Sequence, residues 1–281
     1  MSLLPGVYKA AKKSGELYYR SSITYKNKHI SLGSYSLEIL ANKAYLEADS
    51  LLKDTHLGIK DYIPSSTLGF EKWVILINYR DNKIYMKNPI YLKKGFFFYY
   101  INVDYVLKFD IDDLFYYAHH KIMVRGNHLF VSDYGMQVNI LSRYGIRNYG
   151  ILGKDYMFNN GDELDFRYSN IEIINRFHGV SKQEKNGKLT YSAKIHINGD
   201  YIIGYYSSEE EAAIAYNKAV NILKSKGLTK NYPIHFIPDM DEIVYAKLYH
   251  NIRISKKIRD FMVSILPIVI FLLNIHTIIK I

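Results

Sequence analysis

Cysteine is missing from all 281 residues of the chain. This absence excludes disulfide bonds, zinc sites built on thiolates and a cysteine nucleophile. It agrees with a reducing compartment, so we expect a cytoplasmic protein, associated with the nucleoid if the source is bacterial. Residues 1–6 also lack a charged stretch followed by an apolar core, so this end predicts no secretory signal.

Several catalytic motifs are missing as well. The sequence contains no glycine-rich phosphate loop, no Gly-x-Ser-x-Gly and no His-Glu-x-x-His. We therefore expect no cofactor and no small-molecule substrate.

Positive charge is concentrated at the two ends of the chain. The net charge is +10, of which residues 1–60 carry +4, residues 61–177 carry +1 and residues 178–281 carry +5. Basic ends around a balanced middle indicate two contacts with a polyanion. General solubility is an alternative explanation of the same charges.

One arrangement of elements occurs twice, first near the N-terminus. The pattern predicts strands at 6–10, 17–25 and 29–35, then an amphipathic helix with Ser36 as its N-cap. Glu38 lies in the first turn, where the helix dipole favours a carboxylate. The predicted apolar face consists of Ala41, Ala44, Tyr45, Ala48 and Leu52.

The second copy begins at Gly179-Val180. It has predicted strands at 191–197 and 201–206 and a helix capped by Ser207 or Ser208. The acidic run Glu209–Glu211 is expected to favour the helix start and to face solvent. Its predicted apolar face consists of Ala212, Ala215, Tyr216, Ala219 and Ile222. A shift of 171 residues superimposes the helices and third strands of the two copies, which predicts two separate small domains.

Both copies resemble the AP2/ERF-type DNA-binding domain, over residues 5–53 and 178–234. The resemblance rests on Gly-Val in strand one, Tyr19…Ile23 and Tyr191…Ile195, Leu32-Gly33-Ser34-Tyr35 and Ile203-Gly204-Tyr205-Tyr206, Glu209…Ala212…Ala215-Tyr216, and Asn231-Tyr232-Pro233. It implies a sheet whose exposed face enters the DNA major groove. The family's signature Arg and Trp positions hold other residues here, which are Tyr8, Ser181, Tyr19, Tyr191, Thr24 and His196. The resemblance therefore implies the fold more strongly than it implies any preference for a DNA sequence.

The resemblance also implies which side chains contact DNA. Base contacts are expected from Tyr19, Arg20 and Ser22 in the first copy and from Tyr191, Lys194 and His196 in the second. Phosphate contacts are expected from Lys9, Lys12, Lys13, Lys26, Lys28, Lys182, Lys185 and Lys188. Such contacts would make the affinity fall as salt rises. A domain of this shape that binds protein instead is the alternative.

The region between the copies is predicted to be rich in strands. Strands are expected at 73–77 and 84–86 with a turn at Asp81-Asn82, then at 91–92 and 96–101, with a hairpin formed by 128–131 and 137–140. Asp112-Asp113 is expected at a helix start, and residues 54–65 are expected to be a linker.

Residues 109–174 resemble the HNH homing-endonuclease module. The match retains Asp155, Gly161, Asp165, Arg167 and Asn170 and replaces three family residues by Tyr156, Phe166 and Ser142. Tyr156 replaces the general-base His, Phe166 replaces the Asn that orients it, and Ser142 replaces another His. HNH cleavage needs a His that activates water and a further ligand for a hard metal ion. We therefore expect a scaffold without nuclease activity.

Three remaining features have ordinary explanations. The adjacent His119 and His120 are expected to point to different faces and to form a satisfied or surface pair rather than a metal site. Asp110 with Asp112-Asp113 could bind a metal, and helix capping explains it equally well. The apolar run 261–279 is nearly long enough to span a membrane, but a membrane anchor is not the favoured interpretation.

The sequence thus predicts an α+β protein in which two small domains, each a three-stranded antiparallel sheet plus a helix, flank a strand-rich degenerate HNH-like module. The predicted segments are 1–55, 66–177, 178–234 and a C-terminal extension 235–281. The predicted function is non-enzymatic binding of double-stranded DNA, with a role in transcription regulation. The alternatives are an HNH-type homing endonuclease that uses a divalent metal and a membrane-tethered interaction protein.

Overall fold

The computed structural model describes residues 3–147, 150–185 and 187–262, and it leaves the side chain of Lys185 undescribed. The fold is α+β, as predicted, with helices and several small antiparallel sheets. The chain forms two compact units, Met1–Tyr144 with Phe158–Glu172, and Gly145–Met157 with Ile173–Ile281. The first unit therefore contains both the segment 1–55 and most of the segment 66–177.

The first unit begins with the predicted sheet and helix. The elements are β1 Val7–Ala11, β2 Leu17–Tyr25, β3 Lys28–Tyr35 and α1 Glu38–Lys53, with the strands antiparallel in the order β1-β2-β3. Lys26 and Asn27 both have positive φ, 44° and 59°. That geometry is the tight hairpin turn whose twist matches the flanking strands.

The start of α1 differs from the prediction. The N-cap is Leu37, which has no side-chain oxygen, and not Ser36. Glu38 lies in the first turn as predicted, and its carboxylate accepts a hydrogen bond from the backbone N–H of Leu4 at 2.7 Å. The prediction was wrong by one residue because Ser36 is the best capping residue nearby, whereas the helix begins one position later without a side-chain cap.

The predicted strand at 73–77 is wrong. Residues Phe70–Asn82 form helix α2, in which every residue from Trp73 to Arg80 is buried. The predicted turn at Asp81-Asn82 is the end of this helix, and 84–86 is not a strand. A helix buried on all sides shows no amphipathic period, so a run of β-branched apolar residues was taken for a strand.

Helix α2 is joined tightly to the preceding segment. The Trp73 indole donates to the carbonyl of Gly58 at 3.1 Å, and the Arg80 guanidinium donates to the carbonyls of Leu51 and Asp54 at 2.9 and 2.6 Å. A short 3₁₀ turn, Ile59–Asp61, lies in the predicted linker 54–65. The predicted linker is therefore attached to α2, the helix that follows it.

The rest of the first unit holds two three-stranded sheets. They are β4 Ile90–Leu92, β5 Phe96–Tyr100 and β6 Val106–Asp110, then, after α3 Leu114–His119, β7 Ile122–Arg125, β8 His128–Asp133 and β9 Met136–Asn139. The predicted hairpin and the predicted helix start at Asp112-Asp113 are confirmed. Two further short strands, β10 Tyr156–Phe158 and β11 Ile171–Ile173, form a sheet of their own.

The second unit repeats the N-terminal plan. Its elements are β12 Val180–Lys185, β13 Lys188–His196, β14 Asp200–Tyr206, α4 Glu209–Ser225, α5 Glu242–Asn251 and α6 Lys256–Arg259. Ser208 is the N-cap of α4, and its hydroxyl accepts from the N–H of Glu211 at 3.1 Å. Within the described residues, no helix is long and apolar enough to cross a membrane. Most of the run 261–279 lies beyond residue 262 and outside this description.

In each copy, the segment that follows the repeat is attached at equivalent positions. In the first copy, the Tyr35 hydroxyl donates to the carbonyl of Thr67, and Glu47 accepts from the N–H groups of Thr67 and Leu68, just before α2. Burial alone would raise the pKa of Glu47, but these hydrogen bonds and the one from Ser66 outweigh it and lower that pKa.

In the second copy the charge at the equivalent helix position is reversed. The Tyr206 hydroxyl donates to the carbonyl of Arg253 at 2.8 Å. Lys218, which stands 171 residues after Glu47, donates to the carbonyls of His250 and Ile252 at 2.9 and 3.0 Å, at the end of α5. An anion thus satisfies N–H groups in one copy and a cation satisfies carbonyls in the other.

Candidate nucleic-acid interface

The two sheets are built alike in backbone detail. Both central strands have a bulge at the same point, between Ser21 and Ser22 in β2 and between Ala193 and Lys194 in β13. Gly6 and Gly179 both have φ +74°, and a Cβ atom on either would collide with the ring of the helix tyrosine, Tyr45 or Tyr216. Only glycine suits a positive φ with so close a neighbour, which explains the repeated Gly-Val.

The outer face of the first sheet is polar and basic. We give this name to the exposed side chains turned away from α1, which are those of Tyr8, Arg20, Thr24, His29 and Ser34. Arg20 on β2 pairs across the sheet with Tyr8 and with Ser34, and Thr24 pairs with His29. None of these five side chains is acidic. The face therefore offers one guanidinium in the middle of a polar surface.

The side chain of Arg20 is held in place by a neighbour. The Tyr18 hydroxyl accepts hydrogen bonds from Nε and Nη2 of Arg20 at 3.2 and 2.7 Å, and the guanidinium lies 5.5 Å from the Tyr18 ring centroid. Residues two apart on a strand share a face. Tyr18 therefore limits the rotamers of Arg20 and reduces the entropy that this side chain would lose on binding.

Two of the predicted base-contacting residues of this sheet lie elsewhere. Tyr19 pairs with Lys9 and Tyr35, and since it adjoins Arg20 on the strand it points to the opposite face. Ser22 is buried, and its N–H donates to the carbonyl of Gly6 at 3.0 Å. The prediction fails at Tyr19 because successive residues of a strand point to opposite faces, and at Ser22 because that side chain is buried.

The predicted lysines of the first copy are exposed and lie on β1 and at the two hairpin turns. Lys9 pairs with Tyr19 and therefore points away from the outer face, whereas the other four lie at the turns beside it. Lys12 pairs with Glu16 at 2.8 Å, so its charge is partly offset. Lys26 and Lys28 lie over the rings of Tyr25 and Tyr85. Lys9 and Lys13 have no acidic partner among the described residues.

The outer face of the second sheet has a different charge pattern. We use this name for the exposed side chains of Lys194, His196, Asp200, Ile202 and Tyr205. The Asp200 carboxylate lies 3.3 Å from the Lys194 ammonium and 2.9 Å from Nδ1 of His196. The hydrogen bonds from His196 and Lys194 lower the pKa of Asp200. A carboxylate thus partly neutralises the two side chains predicted to contact DNA.

The third predicted base contact of this sheet lies on the other side. Tyr191 packs against the hydrophobic core of the second unit rather than on the outer face. Lys182 and Lys188 are exposed, on β12 and at the start of β13. The side chain of Lys185 lies outside the described residues.

The acidic run at the start of α4 is not uniformly solvated. Glu209 is buried and accepts from the backbone N–H and from Nε of Arg176, at 2.6 and 2.7 Å. Arg176 also contacts Glu210. The expectation of a solvated acidic face is therefore wrong for Glu209, because an arginine outside the repeat reaches it.

The carboxylates retained from the HNH pattern are engaged in ion pairs. Asp155 is 1% exposed and accepts from Arg147 at 2.6 Å. Asp165 is 2% exposed and accepts from Arg167 at 2.8 and 2.6 Å and, at 3.5 Å, from Lys108. Burial would raise the pKa of Asp165, but the hydrogen bonds from Arg167 outweigh it and lower that pKa. Both carboxylates therefore act as partners of arginine.

The two substituted positions of the HNH pattern are part of the interior. Tyr156 and Phe166 are buried, and the Phe166 ring stacks on Phe109 with centroids 5.5 Å apart. Neither side chain is a base at neutral pH, and Phe166 has no polar atom. The structure thus uses both positions for packing.

The adjacent histidines are satisfied locally. Nδ1 of His119 lies 2.8 Å from the carbonyl of Phe115, and Nδ1 of His120 lies 3.0 Å from that of Tyr116. Nε2 of His120 also lies 3.5 Å from Asp133. Among the described residues, no cluster of three or more His, Asp or Glu side chains could hold a metal ion.

Asp110 and Asp113 serve as acceptors. Asp110 accepts from the N–H of Tyr168 at 2.7 Å. Asp113 is buried and accepts from Arg143 at 3.0 Å and from the Tyr168 hydroxyl at 3.2 Å. Both carboxylates thus tie α3 and the strand before it to later parts of the first unit, which is a third explanation beside metal binding and helix capping.

Sequence reasoning missed several residues of the two outer faces. They are Tyr8, Thr24, His29, Ser34, Asp200, Ile202 and Tyr205. The missing information was the cross-strand register, including the bulge, which decides which residues oppose Arg20 and Lys194. Strict alternation from the buried Val7 and Ile30 would have placed Tyr8 and His29 on the outer face.

No family model matches the chain, and no curated protein and no solved structure matches it either.

Proposed function

We propose that the chain binds double-stranded DNA through the outer faces of its two repeats, without cleaving it. The observation that carries the proposal is the outer face of the first sheet. A positioned guanidinium, Arg20, stands in the centre of a polar surface, with exposed lysines in the adjoining turns. Such a surface supplies phosphate contacts from its rim and a donor for base edges from its centre.

Two linked repeats support the same function. Each three-stranded sheet offers a small footprint, and linkage makes the second contact intramolecular, which raises the overall affinity. The resemblance of both copies to AP2/ERF-type domains adds an expectation of major-groove binding. Binding without cleavage agrees with a role in transcription regulation, in the cytoplasm and, if the source is bacterial, at the nucleoid.

The middle region is proposed to be structural. The retained carboxylates Asp155 and Asp165 are buried in ion pairs with Arg147 and Arg167, and the general-base position holds the buried Tyr156. A metal ion would have to displace an arginine from each carboxylate. Incubation of the chain with plasmid DNA and Mg²⁺ or Mn²⁺ should leave the plasmid intact. Nicking that disappears in Asp155→Asn or Asp165→Asn would contradict this proposal.

Titration of labelled duplex DNA tests the proposed binding directly. We expect binding at low salt that weakens steadily as the salt concentration rises, since neutralised phosphates release counterions. Absence of binding at low salt would refute the proposal.

A further inference from the structure

A groove of 960 Å³ runs beside the second sheet. One wall is the edge strand β14, and the other consists of residues between Leu248 and Lys257, after the repeat. The N–H of Ser255 donates to the carbonyl of Ile203 at 2.7 Å, which fixes the segment beside the strand. The Tyr206 hydroxyl holds the same segment through the carbonyl of Arg253.

The added wall of this groove is basic. Arg253, Lys256 and Lys257 all line it and are exposed, and none of them has an acidic partner among the described residues. Three exposed cations without acidic partners along one wall indicate a site for an anionic ligand.

The groove is continuous with the outer face of the second sheet. Ile202 and Tyr205, which are 45% and 59% exposed, belong to both surfaces. A duplex that lies on the outer face would therefore extend over the groove. An exposed tyrosine beside basic groups suits contact with a sugar-phosphate backbone.

We propose that this groove binds the phosphate backbone of duplex DNA outside the part covered by the second sheet. The inference rests on the proposed function and adds a contact that lies outside the repeat itself. Two carboxylates also line the groove, and both already have partners. Asp200 is paired with Lys194 and His196, and Glu211 accepts from the N–H and the hydroxyl of Ser207.

The first repeat has a smaller and less basic groove in the corresponding place. It measures 430 Å³ beside Leu32 and is lined by Glu71, Lys72 and Lys87. Burial lowers the pKa of Lys72, and Glu71 is paired with Lys121 at 2.6 Å. The strong positive wall is therefore a property of the second copy, where the sheet itself is partly neutralised by Asp200.

The test compares two double variants of the full chain with the same change in charge. Lys256→Ala/Lys257→Ala removes two cations of the groove. Lys224→Ala/Lys247→Ala removes two exposed cations from α4 and α5, outside the groove lining. Each protein is titrated with long duplex DNA at several salt concentrations, and thermal melting checks that both variants remain folded.

We expect the groove variant to lower the salt slope of log K by about 2, since each lost phosphate contact removes about 0.9. The loss of affinity should be similar for unrelated DNA sequences, because backbone contacts carry no sequence information. The α4–α5 variant should keep the slope of the unaltered chain.

Equal slopes for both variants, with the unaltered chain binding DNA, would overturn the groove proposal and leave the proposed function standing. No DNA binding by the unaltered chain would refute both. The same proteins are also mixed with vesicles of phosphatidylcholine and phosphatidylserine. If the groove variant loses vesicle binding while its DNA binding is intact, the cations serve a membrane surface and the proposal is wrong.

Discussion

His29 in the first repeat and Asp200 in the second occupy the same place beside the central strand. One side chain is an imidazole and the other is a carboxylate. His29 pairs with Thr24 on an outer face without carboxylates, whereas Asp200 pairs with His196 and approaches Lys194. The backbone, the bulge and the glycine beneath the helix tyrosine are the same. Shared backbone geometry thus preserves a surface without preserving its charge.

The two copies also use their following segments differently. Glu47 holds the start of α2 in the first copy, and Lys218 holds the end of α5 in the second. The second copy thereby places Arg253, Lys256 and Lys257 beside its sheet. Positive charge lies on the sheet in one repeat and next to the sheet in the other.

The glycine just before the first strand of each repeat should show the largest difference in stability between the copies. A Cβ at Gly179 would lie 2.3 Å from the carbonyl oxygen of Lys194 and 2.6 Å from the fully buried ring of Tyr216. We expect Gly179→Ala to cost about 3–4 kcal/mol of unfolding free energy, measured by urea denaturation.

The matched variant in the first copy is Gly6→Ala. The three atoms nearest to its Cβ would be Cδ2, Cγ and Cβ of the half-buried Tyr45, at 2.1, 2.3 and 2.8 Å, and none of them is a backbone atom. We expect a smaller cost of about 2–3 kcal/mol, from the positive φ and the displacement of this side chain. Equal costs at the two glycines would show that backbone crowding at Lys194 is unimportant.

Reversal of charge at the equivalent helix positions tests the two attachments. Glu47→Lys would place a cation against N–H groups and should cost about 2 kcal/mol, with Glu47→Gln as a control that costs less than about 1. Lys218→Glu should cost a similar amount of unfolding free energy, because it would place an anion against the carbonyl groups at the end of α5. Thermal melting measures both. If Glu47→Lys is as stable as Glu47→Gln, the sign of the charge does not matter there.

The second unit should lose stability in mild acid. Burial lowers the pKa of His235 to about 4, against about 6.5 in an unfolded chain. The unfolded state therefore binds more protons between these values, and stability is complete above pH 6.5 and falls as the pH drops towards 4. Burial also lowers the pKa of His178, which contributes in the same direction.

The control for this acid effect is His235→Gln, which cannot titrate. We expect it to remove about 1–2 kcal/mol of the change in unfolding free energy between pH 7 and pH 4, allowing for solvent at a half-buried site. An identical pH profile in His235→Gln would contradict the assignment.

Single substitutions on the two outer faces should weaken DNA binding unequally. Arg20→Ala should lower the affinity about tenfold, since it removes a positioned guanidinium. Lys194→Ala should lower it about twofold, because Asp200 already offsets that charge. Asp200→Asn should raise the affinity about threefold by releasing Lys194 and His196. A decrease in Asp200→Asn would show that the carboxylate itself contacts the DNA.

The sequence predicted the repeats well because their elements depend on local features. A tight turn at Lys26-Asn27 and alanines at helical spacing specify a hairpin and a packed helix. It failed at 73–77, where burial on all sides of α2 removes the amphipathic pattern. It placed Tyr19 and Tyr191 on the wrong face because the face that a strand residue occupies depends on the register of the sheet. It predicted that Glu209 is exposed because its partner, Arg176, lies 33 residues away in the sequence.

The most direct test of the account is a duplex titration of three proteins at low salt. The outer-face variant Arg20→Ala/Lys194→Ala is compared with the unaltered chain and with Lys43→Ala/Lys224→Ala, which removes equal charge from exposed positions on α1 and α4. We expect the outer-face variant to bind at least about tenfold more weakly and the helix variant to stay within about twofold. Equal affinities for the two variants would contradict the assignment of the outer faces as the DNA-binding surface.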